Sequence, residues 1–386
     1  MRTAIVGCGK IADSHAEQVQ RIPGAEIVAA CDSEPLMVRQ FCHRYGVPAA
    51  FTELERLLRE TAPGVVHVTT PPPTHYELAA AALRYGAHVY VEKPFTVTAG
   101  EAQALIDMAN DAGLRITVGH DGQFSHAARR MRELVSRGYL GGPPVHMESY
   151  YCYSFGTDAY GRALLGDRNH WVRRLPGKLL QNVISHGLAS LAEFLSDGEP
   201  ELAVVAQSSA FLRRLNAEDV IDELRVIVRE TGGTTAYFTL SSQMRPVLHE
   251  LRLYGPRNGL VVDYDKQTLL TLRGQSYKSY VEKFVPPLDF ARQHVRNSWL
   301  NVRAFLGRDF HMKSGMKHLI ESFYNCIEKG VEDPIPQREI LMTSRIMDEI
   351  ISQLQTRSED ASAGRLVANP RLDPAARPAA RSVEPA

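Results

Sequence analysis

The first 120 residues alternate between short β-branched runs and stretches with helical spacing. The strand-like runs cover residues 3–6, 26–30, 65–69, 88–91 and 115–118. Strands that alternate regularly with helices are typical of parallel βαβ units, in which helices cover both faces of one sheet. This order restricts the possible architectures more than any other feature of the chain. It predicts a doubly wound parallel α/β domain over residues 1–121.

The pattern changes after the glycine- and proline-rich segment 141–144. Strand-like runs now follow one another, with a single helical interruption, at residues 145–151, 202–208, 223–228, 234–240, 249–254 and 260–264. Several of them alternate apolar and polar residues, which is typical of an antiparallel sheet with one covered face. Residues 122–356 are therefore predicted to form an α+β domain with an open, mainly antiparallel sheet.

The last third of the chain predicts helices and then a tail. Apolar residues recur at helical spacing in 316–327 and in 340–354, and the mixed segment 280–313 is also expected to be helical. Residues 357–386 are rich in Ala, Arg and Pro and have no periodicity. We therefore expect a disordered tail there.

Composition excludes several classes of partner. Lys plus Arg and Asp plus Glu number 44 each, so neither nucleic acid nor an anionic membrane is favoured. No apolar run reaches the roughly 18 to 20 residues that span a bilayer, and the N-terminus lacks the long apolar segment of a signal peptide. The five cysteines form no C-x-x-C pair. A reduced, cytoplasmic protein without a metal site is the expectation.

A glycine motif follows the first strand and opens a helix. Residues Gly7, Gly9, Lys10, Ile11 and Ala12 belong to the G-x-G-x-x-A segment GCGKIA. In such a turn the first glycine permits the tight bend, and the second lets the backbone approach a pyrophosphate. The helix N-terminus then offers N–H groups to the anion. These residues are predicted to bind a dinucleotide.

An acidic residue ends the second predicted strand. Asp32 follows Gly9 by 23 residues, where a carboxylate can hydrogen-bond a ribose hydroxyl. The same charge would repel a 2′-phosphate. We therefore expect NAD as the cofactor rather than NADP.

Two further motifs end the third and fourth predicted strands. The first is Thr-Thr-Pro-Pro-Pro-Thr-His, and the second is Glu-Lys-Pro. Ligands of doubly wound sheets lie at the carboxyl ends of the strands, and Thr74 is expected to cap the helix that follows it. Additional cofactor contacts are accordingly predicted at Thr70, Pro71, Pro72, His75, Glu92 and Lys93.

The segment LLQNVISHGL places two polar residues on an apolar helix. Asn182 and His186 are four residues apart and therefore share one helix face. Taken alone, they are most simply a hydrogen-bonded pair in the core, since most buried polar groups are satisfied in this way. The other motifs favour a functional alternative, in which both side chains point at one substrate.

Together these segments resemble the Gfo/Idh/MocA family of NAD(P)-dependent oxidoreductases. GCGKIA, Asp32, TPPPTH, EKP and the later helix with His186 carry the resemblance, which extends from Met1 to about Gln355. It implies a Rossmann domain joined to an α/β domain whose open sheet often builds oligomers, so a homodimer or homotetramer is expected. Most members oxidise or reduce a carbon of a sugar, cyclitol or sugar nucleotide.

The resemblance also implies which residues are catalytic. The family helix usually reads G-G-G-x-L-x-D-x-G-x-H, with its aspartate and histidine near the nicotinamide and beside the lysine of EKP. Here Leu180, Asn182 and His186 occupy the leucine, aspartate and histidine positions. We therefore expect Lys93, His186 and Asn182 to form the catalytic group.

Departures from the family pattern concern the substrate more than the chemistry. Asn182 cannot titrate, so it can orient a hydroxyl but cannot take its proton. Gln123 stands where the family often has an arginine, and His120 ends the fifth strand. Substrate contacts are predicted at His120, Gln123, Trp171, Arg173 and Asn182.

A basic segment precedes the pocket helix. Its charges could meet the diphosphate of a nucleotide-linked sugar, although a solvated basic loop explains them equally well. The residues are Arg162, Arg168, Arg173, Arg174 and Lys178.

The predicted activity is reversible hydride transfer between NAD and a secondary alcohol or ketone carbon of a sugar-like substrate. His186 would serve as general base, because its intrinsic pKa lies near neutrality. Lys93 would stabilise the alkoxide-like oxygen; in some relatives it is itself the proton carrier. Two alternatives remain open. One is redox-assisted glycosidic cleavage at the same site, and the other is a dinucleotide-binding regulator without turnover.

Overall fold

The structure is a computed structural model that describes residues 1–155, 167–196, 198–274, 277–278 and 280–362. Its first sheet has six parallel strands in the order β3-β2-β1-β4-β5-β6. This order confirms the predicted doubly wound sheet. The strands are β1 (Arg2–Val6), β2 (Glu26–Cys31), β3 (Ala50–Phe51), β4 (Val65–Val68), β5 (His88–Val91) and β6 (Ile116–Val118).

Helices connect these strands, as the sequence rhythm predicts. Their ends carry the expected signals: Pro35 begins one helix and Gly46 ends it in the left-handed conformation, while Thr98 and Glu101 form a capping box. The helices are α1 (Lys10–Val19), α2 (Pro35–Tyr45), α3 (Leu54–Thr61), α4 (His75–Arg84) and α5 (Ala99–Asp111).

The second sheet has seven strands in the order β13-β12-β11-β7-β10-β9-β8. Strand β10 runs parallel to β7, and the other paired neighbours are antiparallel. The prediction of a mainly antiparallel second sheet is therefore confirmed. Its strands are β7 (His146–Ser154), β8 (Glu201–Gln207), β9 (Glu223–Arg229), β10 (Thr235–Ser241), β11 (Gln243–Tyr254), β12 (Asn258–Asp263) and β13 (Thr268–Arg273).

Seven further helices surround this sheet or return to the first one. They are α6 (His126–Ser136), α7 (Lys178–Val183), α8 (Ser185–Ala192), α9 (Ala210–Arg214), α10 (Val281–Leu306), α11 (Ser314–Lys329) and α12 (Gln337–Ser362). The expected helix within residues 280–313 is thus present as α10. Among the described helices, none combines the length and the apolar character needed to cross a bilayer.

Helix α11 packs in the first core rather than the second. Met316, Leu319 and Phe323 are buried together with the side chains of the parallel sheet. The sequence division at residue 122 grouped this helix with the second sheet, whereas its apolar face packs on the first. The domain bounds themselves stay a prediction. An apolar stripe shows that one face of a helix is buried, but it carries no information about which sheet buries it.

The end of the chain also differs from the prediction. Helix α12 continues to Ser362, so the first six residues of the expected tail, 357–362, are helical. A helix can extend beyond its apolar stripe because its backbone hydrogen bonds continue along the chain. The remainder of the predicted tail, 363–386, lies outside the described residues.

Candidate active site

The glycine-rich turn between β1 and α1 has the shape that a dinucleotide requires. Gly7 has a φ of +93°, and a Cβ there would lie 2.6 Å from Thr70 Cγ2. A Cβ on Gly9 would instead meet nothing within 4 Å. Helix α1 has no side-chain cap at its N-terminus, and its N-cap residue Gly9 borders this open space. With Ala12 fully buried behind the turn, the loop fits a pyrophosphate.

Asp32 lies at the carboxyl end of β2 beside this turn. Its Oδ2 accepts a hydrogen bond from the backbone N of Cys8 at 2.7 Å, and its Oδ1 accepts one from Glu34 N at 2.9 Å. The carboxylate therefore lies against the glycine-rich turn and is partly exposed. This position suits the predicted contact with a ribose hydroxyl.

The ring of His75 lies between two backbone carbonyl groups. The ring is fully buried, and its two nitrogens lie 2.9 Å from Pro94 O and 2.8 Å from Thr70 O. It thereby connects the TPPPTH loop to the EKP loop. These contacts let His75 hold the two loops of the cofactor edge together, and its own contact with the cofactor stays a prediction.

The proline loop itself is held by threonine hydroxyls. Thr69 Oγ1 donates to the carbonyls of Val6 and Gly7, which fixes the loop against the glycine-rich turn. Thr74 occupies the N-cap position of α4, but its hydroxyl donates to Pro71 O instead of capping the helix. Thr70 is partly buried, Pro72 is buried and Pro71 is exposed beside the turn.

Lys93 reaches from the end of β5 to the pocket helix. Its Nζ donates to the backbone oxygen of Asn182 at 3.3 Å, which connects the cofactor edge of the first sheet with α7. Burial lowers the pKa of Lys93, although the carboxylates of Glu92 and Asp121 act in the opposite direction. The lysine is therefore a partly buried cation between the two domains.

The helix with Asn182 and His186 is interrupted between these two residues. Asn182 belongs to α7 and His186 to α8, with Ile184 in a turn between them. The His186 ring stacks on Tyr151 of β7, with ring centroids 5.3 Å apart. Gly187 packs so closely on the second sheet that a Cβ would overlap the ring of Phe238 on β10. Close packing on the second sheet thus determines where His186 points.

Burial and the neighbouring charges both favour the neutral form of His186. Burial, followed by the charges of Lys93 and His120, holds the pKa of His186 well below its usual range. Burial also lowers the pKa of His120 to about 3. Within the described part of the chain, His120 Nε2 is buried and has no hydrogen-bond partner. The predicted base, a second imidazole and Lys93 therefore form one electrostatically coupled group.

The comparison with protein families agrees with this geometry. Residues 1–120 match the model of an oxidoreductase family with an NAD-binding Rossmann fold. Residues 1–120 thus match the NAD-binding domain of the Gfo/Idh/MocA family. The resemblance to this family and the predicted NAD cofactor are thereby confirmed.

Curated relatives match over part of the chain. D-glucoside 3-dehydrogenase of Escherichia coli K12 is 32% identical over 142 residues, which cover 36% of this chain and 40% of the relative. Myo-inositol 2-dehydrogenase of Thermotoga maritima is 27% identical over 145 residues, covering 38% and 43%. The chain thus spans about two fifths of the length of these relatives.

Solved structures match both domains. UDP-N-acetylglucosamine 3-dehydrogenase GnnA from Acidithiobacillus ferrooxidans has a TM-score of 0.69 at 20% identity, covering 91% of this chain and 97% of its own. The WlbA dehydrogenase of Bordetella pertussis, in complex with NADH and UDP-GlcNAcA, also has a TM-score of 0.69, at 17% identity, covering 94% and 96%. At these identities the likeness shows that the two-domain fold is shared.

Two of the predicted substrate residues have structural partners in this chain. Gln123 is buried, and its Nε2 donates to Ala189 O at 3.3 Å and to Glu193 Oε2 at 3.0 Å, so it supports helix α8. Arg173 is paired with Asp219 at 2.8 Å. Trp171 begins a short 3-10 helix and packs partly buried on the second core. None of these contacts could be read from sequence spacing.

The basic segment before the pocket helix is partly neutralised. Lys178 also pairs with Asp219, at 2.6 Å, and Arg168 donates to Asn216 O at 3.1 Å. Arg174 is exposed, and Arg162 lies outside the described residues. Much of the positive charge predicted to meet a diphosphate is thus engaged with the protein itself.

Sequence reasoning missed several residues beside Lys93 and His186. Asp121 follows His120 in the chain, and burial followed by the charge of Glu92 raises its pKa. Lys313, just before α11, acts electrostatically on both Asp121 and His186. The position of Asp121 after a parallel strand was an available signal, whereas nothing in the sequence connected Lys313 to this site.

One cluster of metal-ligand type exists among the described residues. His126, Asp309 and His318 bring ligand atoms within 4.8 Å of one another. The ammonium of Lys317 bonds Asp309 Oδ1 at 2.6 Å. The carboxylate is thus already paired with a cation.

Proposed function

We propose that this chain is an NAD-dependent oxidoreductase that acts on a secondary alcohol or ketone carbon of a sugar, cyclitol or nucleotide-linked sugar. The contact between Lys93 Nζ and the Asn182 backbone carries the proposal. It brings a cation from the cofactor edge of the parallel sheet to α7, the short helix that directly precedes the one with the titratable His186. The names of the relatives, which include glucoside, inositol and UDP-sugar dehydrogenases, support the substrate class.

NAD would be held by the glycine-rich turn, by the N-terminus of α1 and by Asp32. The open space at Gly9 and the uncapped helix start support pyrophosphate binding there. Bound NAD supplies a hydride acceptor for the carbinol carbon. The negative charge of Asp32 favours a free ribose hydroxyl over a 2′-phosphate, which supports NAD rather than NADP.

Lys93 would stabilise the substrate oxygen. Its ammonium is partly buried, so its charge is screened less than that of a surface lysine. During oxidation the carbinol oxygen loses its proton and develops negative charge. A fixed cation beside this oxygen stabilises that charge where it forms.

His186 would accept the hydroxyl proton. Its lowered pKa means that the imidazole is neutral at pH 7, which is the form that a base must have. Stacking on Tyr151 fixes the plane of the ring. In the reverse direction, the same nitrogen would return the proton to the oxygen of the reduced carbonyl.

Asn182 would orient a neighbouring hydroxyl of the substrate. Within the described part of the chain, its backbone oxygen accepts from Lys93 and its side-chain amide has no hydrogen bond, so the amide is available to a ligand. An amide can donate to one substrate oxygen and accept from another hydroxyl. It does not titrate, and the proton chemistry therefore falls to Lys93 and His186.

A homodimer or homotetramer would use the open face of the second sheet. Val205, Ile227 and Tyr237 lie exposed on the adjacent strands β8, β9 and β10, with 68%, 42% and 40% of their surfaces accessible. Neighbouring exposed apolar residues are typical of an interaction surface. The five free cysteines support a reducing location such as the cytoplasm. Light scattering on the purified chain would measure the oligomeric state.

A substrate screen tests the function. The purified chain is incubated with NAD and with free glucosides, inositols and UDP-linked sugars, and reduced cofactor is measured by absorbance. We expect NADH to form with at least one member of this panel. The Lys93→Met variant should abolish the signal, whereas Lys266→Met, at a lysine side chain that is 72% exposed, should leave it unchanged.

The screen also separates the alternatives. Cleavage of a glucoside without net NADH formation would favour the redox-assisted glycosidase. NAD binding without any chemical change across the panel would favour a regulator. Equal activity in Lys93→Met and in the unsubstituted chain would contradict the proposed site.

A further inference from the structure

Five polar side chains form a continuous chain of contacts inside the first domain. Thr3 Oγ1 lies 2.9 Å from Tyr324 Oη, and this hydroxyl lies 2.9 Å from His67 Nε2. His67 Nδ1 is 2.8 Å from His15 Nδ1, and His15 Nε2 is 2.8 Å from Glu92 Oε1. All five residues are buried. Buried polar groups are costly unless they are paired, and here each is paired with the next.

Counting protons shows which residue is the donor in each of these hydrogen bonds. A Glu92 carboxylate can only accept, so His15 Nε2 must donate to it. Neutral His15 then accepts at Nδ1, and His67 must donate from its own Nδ1. Neutral His67 accepts at Nε2, so the Tyr324 hydroxyl donates to it and Thr3 donates to Tyr324. Every position is satisfied with a single net charge, which lies on Glu92.

The same contacts can hold one more proton only in a reversed arrangement. If Glu92 were protonated or His15 became an imidazolium, donor and acceptor would have to exchange in every hydrogen bond between His15 and Thr3. Burial, followed by the nearby His15, holds the pKa of His67 well below its usual range. Burial alone would raise the pKa of Glu92, but the His15 hydrogen bond and the Lys93 charge lower it. Both shifts favour the arrangement with ionised Glu92.

Glu92 in turn lies against Lys93. Its Oε2 accepts the Lys93 backbone N–H at 3.2 Å, and a Cβ on Gly119 would lie only 2.9 Å from Oε1. Glycine at position 119 therefore leaves room for the carboxylate. The other titratable groups that act on Glu92 or Lys93 are His75, Tyr90, His120, Asp121, His186 and Lys313.

We propose that His15, His67 and Tyr324 are positioning residues for Lys93: their directed hydrogen bonds keep Glu92 ionised beside the lysine. This inference rests on the proposed function, in which the Lys93 ammonium stabilises the substrate oxygen. The interior of the first domain would then determine the charge of the active site. Tyr324 provides the donor that selects the tautomer of His67, although it lies 257 residues away from His67 in the chain.

Nitrogen NMR of the full chain with ¹⁵N-labelled histidine tests the direction without substrate or cofactor. At neutral pH we expect His15 as the Nε2–H tautomer and His67 as the Nδ1–H tautomer. Signals are assigned with the single variants His15→Gln and His67→Phe. Finding His67 protonated at Nε2 in the unsubstituted chain would overturn the proposal.

A pair of hydroxyl deletions tests the dependence on Tyr324. Tyr324→Phe removes the donor to His67, while Tyr90→Phe removes a buried hydroxyl that has no partner among the described residues and whose ring stacks on His67 at 4.9 Å. In Tyr324→Phe the pKa of Glu92 should rise by about 0.4 to 1.1 units, the range that one ordinary hydrogen bond supplies. Tyr90→Phe should leave it unchanged. Equal titrations in the two variants would overturn the proposal.

Two further measurements complete the test. If Tyr324→Phe does not fold, the isosteric Thr3→Val removes the preceding donor, and a smaller shift in the same direction is expected; no shift would count against the proposal. With a substrate in hand, the acid limb of the kcat/KM profile should move to higher pH in Tyr324→Phe but not in Tyr90→Phe. The NMR result does not require turnover, so failure of the proposed function and failure of this inference are distinguishable.

Discussion

Asp32 should determine the choice between NAD and NADP. Its carboxylate lies against the glycine-rich turn, held by backbone N–H groups at 2.7 and 2.9 Å. Two unit charges at about 4 Å repel by about 1 kcal/mol in bulk water and by about 4 kcal/mol at an intermediate dielectric constant. A 2′-phosphate beside Asp32 is therefore expected to cost at least 1.4 kcal/mol. This corresponds to roughly tenfold or tighter binding of NAD than of NADP.

Replacing Asp32 by Asn removes this repulsion but keeps the size of the side chain. The affinity ratio should fall from about tenfold or more to about threefold or less, mainly because NADP binds better. An asparagine has one oxygen and can accept from only one of the two N–H groups. Loss of a charge-assisted bond at this partly exposed position should lower the free energy of unfolding by about 1 kcal/mol.

Titration calorimetry at one fixed ionic strength measures both affinities. The matched control is Asp13→Asn, which removes a carboxylate from α1 that is paired with Arg44. This control should keep the NAD preference. Equal affinities of the unsubstituted chain for the two cofactors, or an unchanged ratio in Asp32→Asn, would refute the argument from charge.

Three further predictions concern the catalytic group and the helix that carries it. Lys93→Ala and His186→Ala should each lower kcat by about 100-fold or more, while NAD affinity stays nearly unchanged. The double variant should be little worse than the worse single variant, because the two residues share one proton path. Additive losses in steady-state kinetics would contradict this prediction. Burial lowers the pKa of both groups, and the active form needs neutral His186 and protonated Lys93. Activity should therefore be lost through His186 as pH falls through a value below 6.5, and through Lys93 as pH rises through a value below 10.5. A kcat profile with its acid limb above 6.5 would exclude His186 as the base. Gly187→Ala should lower the free energy of unfolding by about 1 to 3 kcal/mol, measured by urea denaturation, because the added methyl group overlaps Phe238. An unchanged denaturation midpoint would show that α8 can move away from the sheet.

Much of the cofactor half of the site was predictable from the sequence. The strand rhythm predicted the parallel sheet, and the carboxyl ends of parallel strands lie at one edge. Asp32, Lys93 and the glycine-rich turn follow strands directly, so their common edge followed from topology alone. Strand boundaries were predicted to within a few residues, except for β11, which begins at Gln243 rather than at residue 249, and for the short β3 and for β13, whose runs were not recognised.

The substrate half was predictable only in part. The four-residue spacing of Asn182 and His186 indicated one helix face, and the resemblance to a family related that helix to Lys93. Spacing did not reveal the turn at Ile184, nor that Tyr151 stacks on His186. These contacts are formed by packing against a sheet, and packing depends on residues that are distant in the chain.

The sequence by itself determined which segments become strands and helices, and where a dinucleotide can bind, because these features depend on neighbours within a few residues. Only the tertiary structure decided that α11 returns to the first core and that Tyr324 meets His67 there. It also decided that His75 and Gln123 are occupied by backbone partners. A side chain's type fixes how many hydrogen bonds it can make, but only the folded chain brings it the partner that uses them.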